Sequence, residues 1–259
     1  MEVTPKNRDI ARSNYFIRPK KVDSPRARII TFPYAGAGAV AYHSWASLLP
    51  ENIELISIQY PGRGGLFDVS PRTSIEDLSA ESYETVVSFA DDPYIIFGHS
   101  MGALVAYQTI LSLRRDCQSL PKSFFVSACE SPLSNSGLTR NLHKLPDDEF
   151  LDGIMSYGGM PEEIMQSTDM LSYVLPLLRA DMTALETWRC PKEPSLNIPI
   201  VALGGNNDRL VDKIQLKRWS EFTNSKFTQR ILPGDHFFIQ NQLPDILDIV
   251  VSELEKTEI

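Results

Sequence analysis

Six stretches of the chain are nearly uninterrupted in apolar character: residues 28–32, 54–59, 94–97, 124–128, 198–203 and 228–232. Strands of a parallel sheet read this way, because helices cover both of their faces. Between most of these stretches the apolar period lengthens to that of a helix. Ser74-Ile75-Glu76-Asp77 forms a capping-box-like start. The helix it opens runs to about residue 89, with Ile75, Leu78, Tyr83, Val86 and Phe89 along its apolar side. Around residues 242–255, Leu243, Ile246, Ile249, Val250 and Leu254 recur at helical spacing. Strands alternating with helices predict an α/β fold built on a mostly parallel, doubly wound sheet. Residues 1–24 read as a polar, partly extended lead-in, and residues 25–259 as one domain. One stretch departs from the alternation. Residues 131–190 show no strand pattern and predict several short helices broken by Pro146, Gly158-Gly159, Pro161 and Pro176.

Chemistry enters at residues 98–102, where Gly98-His99-Ser100-Met101-Gly102 follows one predicted strand and precedes the helical Ala103-Leu104-Val105-Ala106-Tyr107. A serine thrust out on a tight strand-to-helix turn needs neighbours without a Cβ. The helix start then places backbone N–H groups where negative charge develops in acyl transfer. Ser100 therefore reads as a nucleophile, against the plainer reading of a turn with a capping serine. A hydroxyl needs a base, and the base needs a group to orient it. Of the four histidines, His99 should point away from Ser100 and pack. His43 reads as a cap or surface residue, and His143, in an irregular polar segment, as exposed. His236 lies in Leu232-Pro233-Gly234-Asp235-His236-Phe237-Phe238, a loop between the last strand and the last helix, and is the expected base. For the acid, Asp208 ends a buried-strand pattern that runs into a Gly/Asn loop. Asp212 is its rival but reads as the cap of segment 212–222. Asp235 adjoins His236, and Asp181 reads as half of a structural ion pair in a helical run.

Composition narrows the function classes. The 259 residues are 42% hydrophobic, enough for one sizeable core. A net charge of −8 favours neither nucleic acid nor an anionic membrane as partner. Cys117, Cys129 and Cys190 have no metal-like spacing, so no metal is expected and the thiols read as reduced. Residues 1–21 lack the apolar centre of a signal peptide, and no apolar run approaches the length of a membrane span. A cytoplasmic monomer is expected.

From about Tyr15 to the final helix, the chain resembles the type II thioesterases that accompany polyketide and nonribosomal peptide synthetases. The resemblance rests on the segments Phe32-Pro33-Tyr34-Ala35-Gly36-Ala37-Gly38-Ala39, Gln59-Tyr60-Pro61-Gly62-Arg63, Phe97-Gly98-His99-Ser100-Met101-Gly102-Ala103, Leu175-Pro176-Leu177-Leu178-Arg179-Ala180-Asp181 and Gly234-Asp235-His236-Phe237-Phe238. Trp45 with Leu49-Pro50, and Gly158-Gly159-Met160-Pro161, add to it. It implies the α/β-hydrolase fold, with residues 131–190 as a helical lid. It implies a Ser100–His236–Asp208 triad, with an oxyanion hole formed by the backbone N–H groups of Met101 and Ala35. It also implies hydrolysis of aberrant or stalled acyl groups from the phosphopantetheine arm of carrier domains, with no cofactor of the enzyme's own. Gly64-Gly65 depart from the charged residues common in the family, and Ala37 replaces a common glycine. Five of the seven methionines fall in residues 131–190. Met155, Met160 and Met165 read either as subdomain core or as adaptable lining of an acyl pocket. Docking on an acidic carrier would need basic residues, for which Arg63, Arg114, Arg115, Arg209 and Lys213 are candidates. Two rivals stay open: a carboxylesterase or lipase of the same fold, and a non-catalytic acyl-binding protein.

Overall fold

The computed structural model describes residues 13–133, 141–158 and 167–256. Seven strands form one sheet in the order β1-β3-β2-β4-β5-β6-β7. They are β1 (Phe16–Lys20), β2 (Ala27–Phe32), β3 (Ile53–Ile58), β4 (Tyr94–His99), β5 (Phe124–Ser127), β6 (Ile200–Gly205) and β7 (Phe227–Leu232). Every pairing is parallel except that of β1 with β3. The helices are α1 (Ile75–Ser88), α2 (Met101–Arg115), α3 (Asp147–Met155), α4 (Thr168–Thr187), α5 (Lys213–Lys217), α6 (Phe238–Asn241) and α7 (Leu243–Lys256).

Strands β2 to β6 are buried on both faces, and alternate residues feed two cores, whereas β7, expected to be buried like them, is the other edge of the sheet and is partly exposed along its whole length. On one face Ile30, Ile56, Ile96, Val126 and Ala202 pack with Leu78 of α1, Leu104 and Ile110 of α2, and Trp219. On the other, Ile29, Leu55, Phe97, Phe125 and Leu203 pack with Tyr42, Trp45 and the Ile246, Val250 and Leu254 stripe of α7. Helices on both sides make this the doubly wound α/β arrangement that the alternation predicts. Ser74 caps α1 as its sequence implies, accepting the Asp77 N–H at 3.1 Å.

Three further features differ from the sequence reading. Residues 16–20 are an edge strand of the sheet rather than lead-in. Pro19 is tolerated on an edge, and Arg18 pins the strand to the buried Glu54 of β3. Helix α4 also continues through Pro176 for 20 residues. Tertiary packing of Leu177, Leu178, Ala180, Asp181 and Met182, all buried, outweighs a proline cost of about 3 kcal/mol. Finally His143 is largely buried, because its Nδ1 lies 2.5 Å from Glu186 of α4.

A third, smaller apolar cluster joins Leu142, Phe150, Ile154, Leu178 and Met182. It ties α3 to α4, and the Arg179 guanidinium covers the Phe150 ring at 4.3 Å.

Candidate active site

Because β2, β4, β6 and β7 run parallel, the loops that leave them emerge along one edge of the sheet, where open α/β sheets present their functional groups. Ser100 is the first residue beyond β4. Its backbone is left-handed, with φ 52° and ψ −122°, a conformation costly for a residue bearing a Cβ. Two contacts show why glycine flanks it. A Cβ on Gly102 would lie 2.1 Å from the Phe32 carbonyl oxygen, and one on Gly98 would lie 2.5 Å from Ala103 Cα. The Ser100 N–H donates to Ser127 O on β5 at 2.8 Å, which fixes the turn against the sheet.

The loops after β6 and β7 are joined through their backbones. Asn206 N–H donates to Leu232 O at 2.8 Å, and Asn207 N–H to Gly234 O at 2.9 Å. Asn206 Oδ1 takes the Gly234 N–H at 3.0 Å. A Cβ on Gly205 would come within 2.4 Å of Asp235 O, so only glycine permits this approach. The result is that Asp208 and His236, 28 residues apart, face each other. Asp208 Oδ2 accepts from His236 Nδ1 at 2.9 Å, and His236 Nε2 lies 3.0 Å from Ser100 Oγ.

The protonation pattern follows from the partners. An ionised carboxylate only accepts, so the imidazole hydrogen sits on Nδ1 and Nε2 is free to take the serine proton. The other carboxylate oxygen, Oδ1, accepts the N–H groups of Leu210 at 2.8 Å and Val211 at 3.1 Å. Asp208 and His236 side chains are 1% and 8% exposed, which shields their mutual attraction from water.

The rival residues go elsewhere. Asp212 caps α5 through the Ile214 N–H at 2.6 Å, and Asp235 turns back on the Phe237 N–H. His43 is exposed. His99 is fully buried, with Nδ1 2.9 Å from Ser127 Oγ and its ring 5.5 Å from that of His236. Burial holds its pKa well below the usual histidine range, and the nearby His236 adds to the effect.

Met101 opens α2, so its N–H has no intrahelical acceptor. Gly102 is in contact with the backbone of Phe32 and Pro33, which brings the loop bearing Ala35 onto that helix start. Gly36 follows Ala35 at φ 79°, and its N–H donates to Asp181 Oδ2 at 2.7 Å. Arg63, read from the sequence as a candidate surface charge, is instead buried in a bidentate pair with Asp181 at 2.7 Å for each bond. The meeting of these two residues is absent from the sequence reading. One signal was available: Asp181 is a carboxylate among Leu177, Leu178, Ala180, Met182 and Ala184, a setting that demands a buried partner. Gly64 is also explained, since at φ 54° a Cβ would lie 2.7 Å from Gln59 Oε1. Arg114 is committed to Glu193 and the Pro194 carbonyl, whereas Arg115, Arg209 and Lys213 are exposed.

Met155 ends α3 with 46% exposure, outside the apolar cluster of that region. Met160 and Met165 lie outside the described residues. Among the described residues no group of histidine, cysteine and carboxylate side chains could hold a metal. No helix among them is long and apolar enough to cross a membrane.

A thioesterase-domain family model matches residues 27–256. The gramicidin S biosynthesis protein GrsT of Aneurinibacillus migulanus is 31% identical, over 93% of this chain and 94% of its own. Thioesterase PikA5 of Streptomyces venezuelae is 30% identical, over 88% of this chain and 80% of its own. Among solved structures, YbtT, a type II thioesterase from the yersiniabactin NRPS/PKS pathway, matches with a TM-score of 0.85 at 26% identity, over 94% and 99% of the two chains.

Proposed function

This chain belongs to the thioesterase family and is a thioester hydrolase, and from that premise we propose that it removes aberrant or stalled acyl groups from the phosphopantetheine arm of carrier domains in polyketide or nonribosomal peptide biosynthesis. The observation that carries the mechanism is the continuous hydrogen-bonded line from Asp208 through His236 to Ser100. In this reading Ser100 Oγ attacks the thioester carbonyl carbon while His236 Nε2 takes the hydroxyl proton. The N–H groups of Met101 and Ala35 receive the negative oxygen of the tetrahedral intermediate. Collapse breaks the C–S bond, and the departing thiolate takes the proton from His236. Water then attacks the acyl-serine ester, with His236 taking its proton and returning it to Ser100 Oγ. The chain needs no cofactor of its own, since the pantetheine thiol arrives on the partner.

The names of the relatives support carrier domains as partners, because GrsT and YbtT are described with gramicidin S biosynthesis and an NRPS/PKS pathway. Arg209, next to Asp208 in the chain, and Lys213, which opens α5, are exposed and suited to an acidic carrier or its phosphate. Residues 131–190 act as a lid whose Met155, Met160 and Met165 adapt to varied acyl chains. The test is hydrolysis of one acyl series presented on a carrier protein, on coenzyme A and as matched oxyesters. The carrier-bound thioester should show the highest kcat/KM, by roughly tenfold or more if docking adds about 1.4 kcal/mol. Equal values on carrier and coenzyme A would remove the carrier from the proposal. Faster oxyester turnover would favour a carboxylesterase, and no acylation by any ester would favour an acyl-binding protein. The same series on Met160→Phe should shift preference toward shorter chains. A uniform fall at every length would remove the lid assignment.

A further inference from the structure

The loop bearing Ala35 is fastened from outside the sheet by one carboxylate. Asp181 of α4 is fully buried and accepts the Gly36 N–H through Oδ2 at 2.7 Å. The same oxygen takes Arg63 Nη1 at 2.7 Å, and Oδ1 takes Nη2 at 2.7 Å. Arg63 Nη1 also donates to the Ala37 carbonyl at 3.0 Å, and Nε to Pro61 O at 3.3 Å. The two charged groups therefore grip residues 36 and 37, one by its N–H and the other by its C=O. Leu178, one turn before Asp181, fills the space a Cβ on Gly36 would need, with Cδ2 2.6 Å from that position. Upstream, Phe32 is registered against Gly98 in the sheet, and its carbonyl accepts the Tyr42 hydroxyl at 2.9 Å. Only residues 33–35 span the interval between these two fixed points.

A buried ion pair is weak evidence of stabilisation, because well-packed apolar residues of similar size serve as well. What an apolar pair cannot supply is an acceptor for the Gly36 N–H. We infer that Asp181 is a positioning residue for the oxyanion-binding N–H of Ala35, with Arg63 serving to neutralise its buried charge. The inference rests on the reading of Ala35 as an oxyanion donor. It also makes α4 a mechanical link, since the helix that packs against α3 and residues 142–145 sets the aim of a donor at the strand ends.

Two double variants separate positioning from packing. Arg63→Met/Asp181→Asn removes both charges and keeps an amide oxygen facing Gly36. Arg63→Met/Asp181→Leu removes both charges and the acceptor. The first should keep kcat within about threefold of wild type. The second should lose roughly 10- to 100-fold in kcat with KM within about twofold, short of the 10²–10³ lost when an oxyanion donor is removed outright. An inhibitor that forms a tetrahedral adduct on the serine, such as an alkyl boronic acid, should weaken in step with kcat. A thioether substrate mimic should bind both variants alike. Should the leucine variant fail to fold, judged by its circular dichroism and thermal transition, Arg63→Met/Asp181→Ala replaces it with the same expectation. Equal kcat in the acceptor-keeping and acceptor-lacking variants, at any level, overturns the inference. An active Ser100→Ala enzyme would instead overturn the reading beneath it.

Discussion

The strand-end platform and the helical segments of residues 141–158 and 167–187 reach order by different means. Around Ser100 the fixed points are backbone contacts: Ser100 N–H to Ser127 O, the paired loops after β6 and β7, and glycines at 98, 102 and 205 pressed against neighbouring main chain. In the helical region the fixed points are side chains. Glu186 collects the N–H groups of Leu142 and His143, and Arg179 reaches the carbonyls of His143 and Leu145 and the carboxylate of Asp147. Main-chain contacts within a close-packed sheet tolerate little displacement. The Arg179–Asp147 pair, at an exposed surface, can be exchanged for water at modest net cost, whereas the bonds of the buried Glu186 cannot. The difference is in keeping with the proposal that a fixed reaction centre lies beside a lid that adapts to varied acyl chains.

The largest effects should come from the platform's reacting groups. Ser100→Ala and His236→Ala should each lower kcat by about 10⁴ or more, as expected for residues that act as a unit. Asp208→Asn should cost up to about 10⁴, because the amide offers a donor to Nδ1 and the imidazole tautomer is lost. Asp212→Asn, which touches only a helix cap, should leave kcat within about threefold and cost under 1 kcal/mol of stability. Steady-state kinetics on a carrier-bound acyl thioester checks all four. A deep loss in Asp212→Asn with Asp208→Asn unimpaired would reverse the assignment of the acid.

A pair of glycine substitutions compares the two regions by stability. Gly102→Ala places a Cβ 2.1 Å from Phe32 O, where only backbone movement can relieve the clash. The cost should reach about 3 kcal/mol or more, lowering Tm on the order of 10 °C. Gly158, at φ 81°, has nothing among the described residues within 4 Å of a Cβ position, so Gly158→Ala should meet chiefly the left-handed backbone penalty. That is about 1 kcal/mol, or a few degrees. Thermal unfolding of both variants decides the matter. Equal losses would mean that the region around residue 158 is as tightly built as the platform.

The same contrast explains which parts of the molecule were readable in advance. Strands buried on both faces have an unambiguous pattern, which β2 to β6 carry, whereas β7 matches its predicted run in position but, as an edge strand, not in burial. Ser100, His236 and Asp208 were selectable because each sits at a strand end in a recognisable loop. Strand β1 escaped because it carries Arg18, Pro19 and Lys20, and is held by Glu54 rather than by apolar alternation. Pro176 reads as a helix break because local propensity carries no trace of the packing that takes α4 past it. Arg63 and His143 both read as surface residues because their partners, Asp181 and Glu186, are 118 and 43 residues away. Charge pairs at that range leave no periodic trace.

The smallest expected effect concerns His99, the buried imidazole of the platform. Burial, reinforced by His236, depresses its pKa well below the ordinary value in the folded chain. The unfolded chain regains a value near 6.5. Below that pH the unfolded state binds a proton that the folded state refuses, so stability must rise with pH through this interval. The contribution is intact above about pH 6.5 and is lost as the pH falls from there toward the folded value, at up to about 1.4 kcal/mol per pH unit. Glu54 has its own, lower window. Its burial raises its pKa, but the hydrogen bonds from Arg28 and Arg18 outweigh burial and leave the value below the ordinary one. Its stabilisation is therefore lost only as the pH falls below about 4.5. The two carboxylate and imidazole effects are thus separable by range. His99→Asn keeps a polar group beside Ser127 and cannot titrate. Between pH 7 and pH 5 the wild-type Tm should fall a few degrees further than that of the variant. Groups common to both proteins cancel in the difference. Parallel Tm curves across this interval would show that His99 accepts its proton in the folded state and that the platform is less dry at its base than its packing implies.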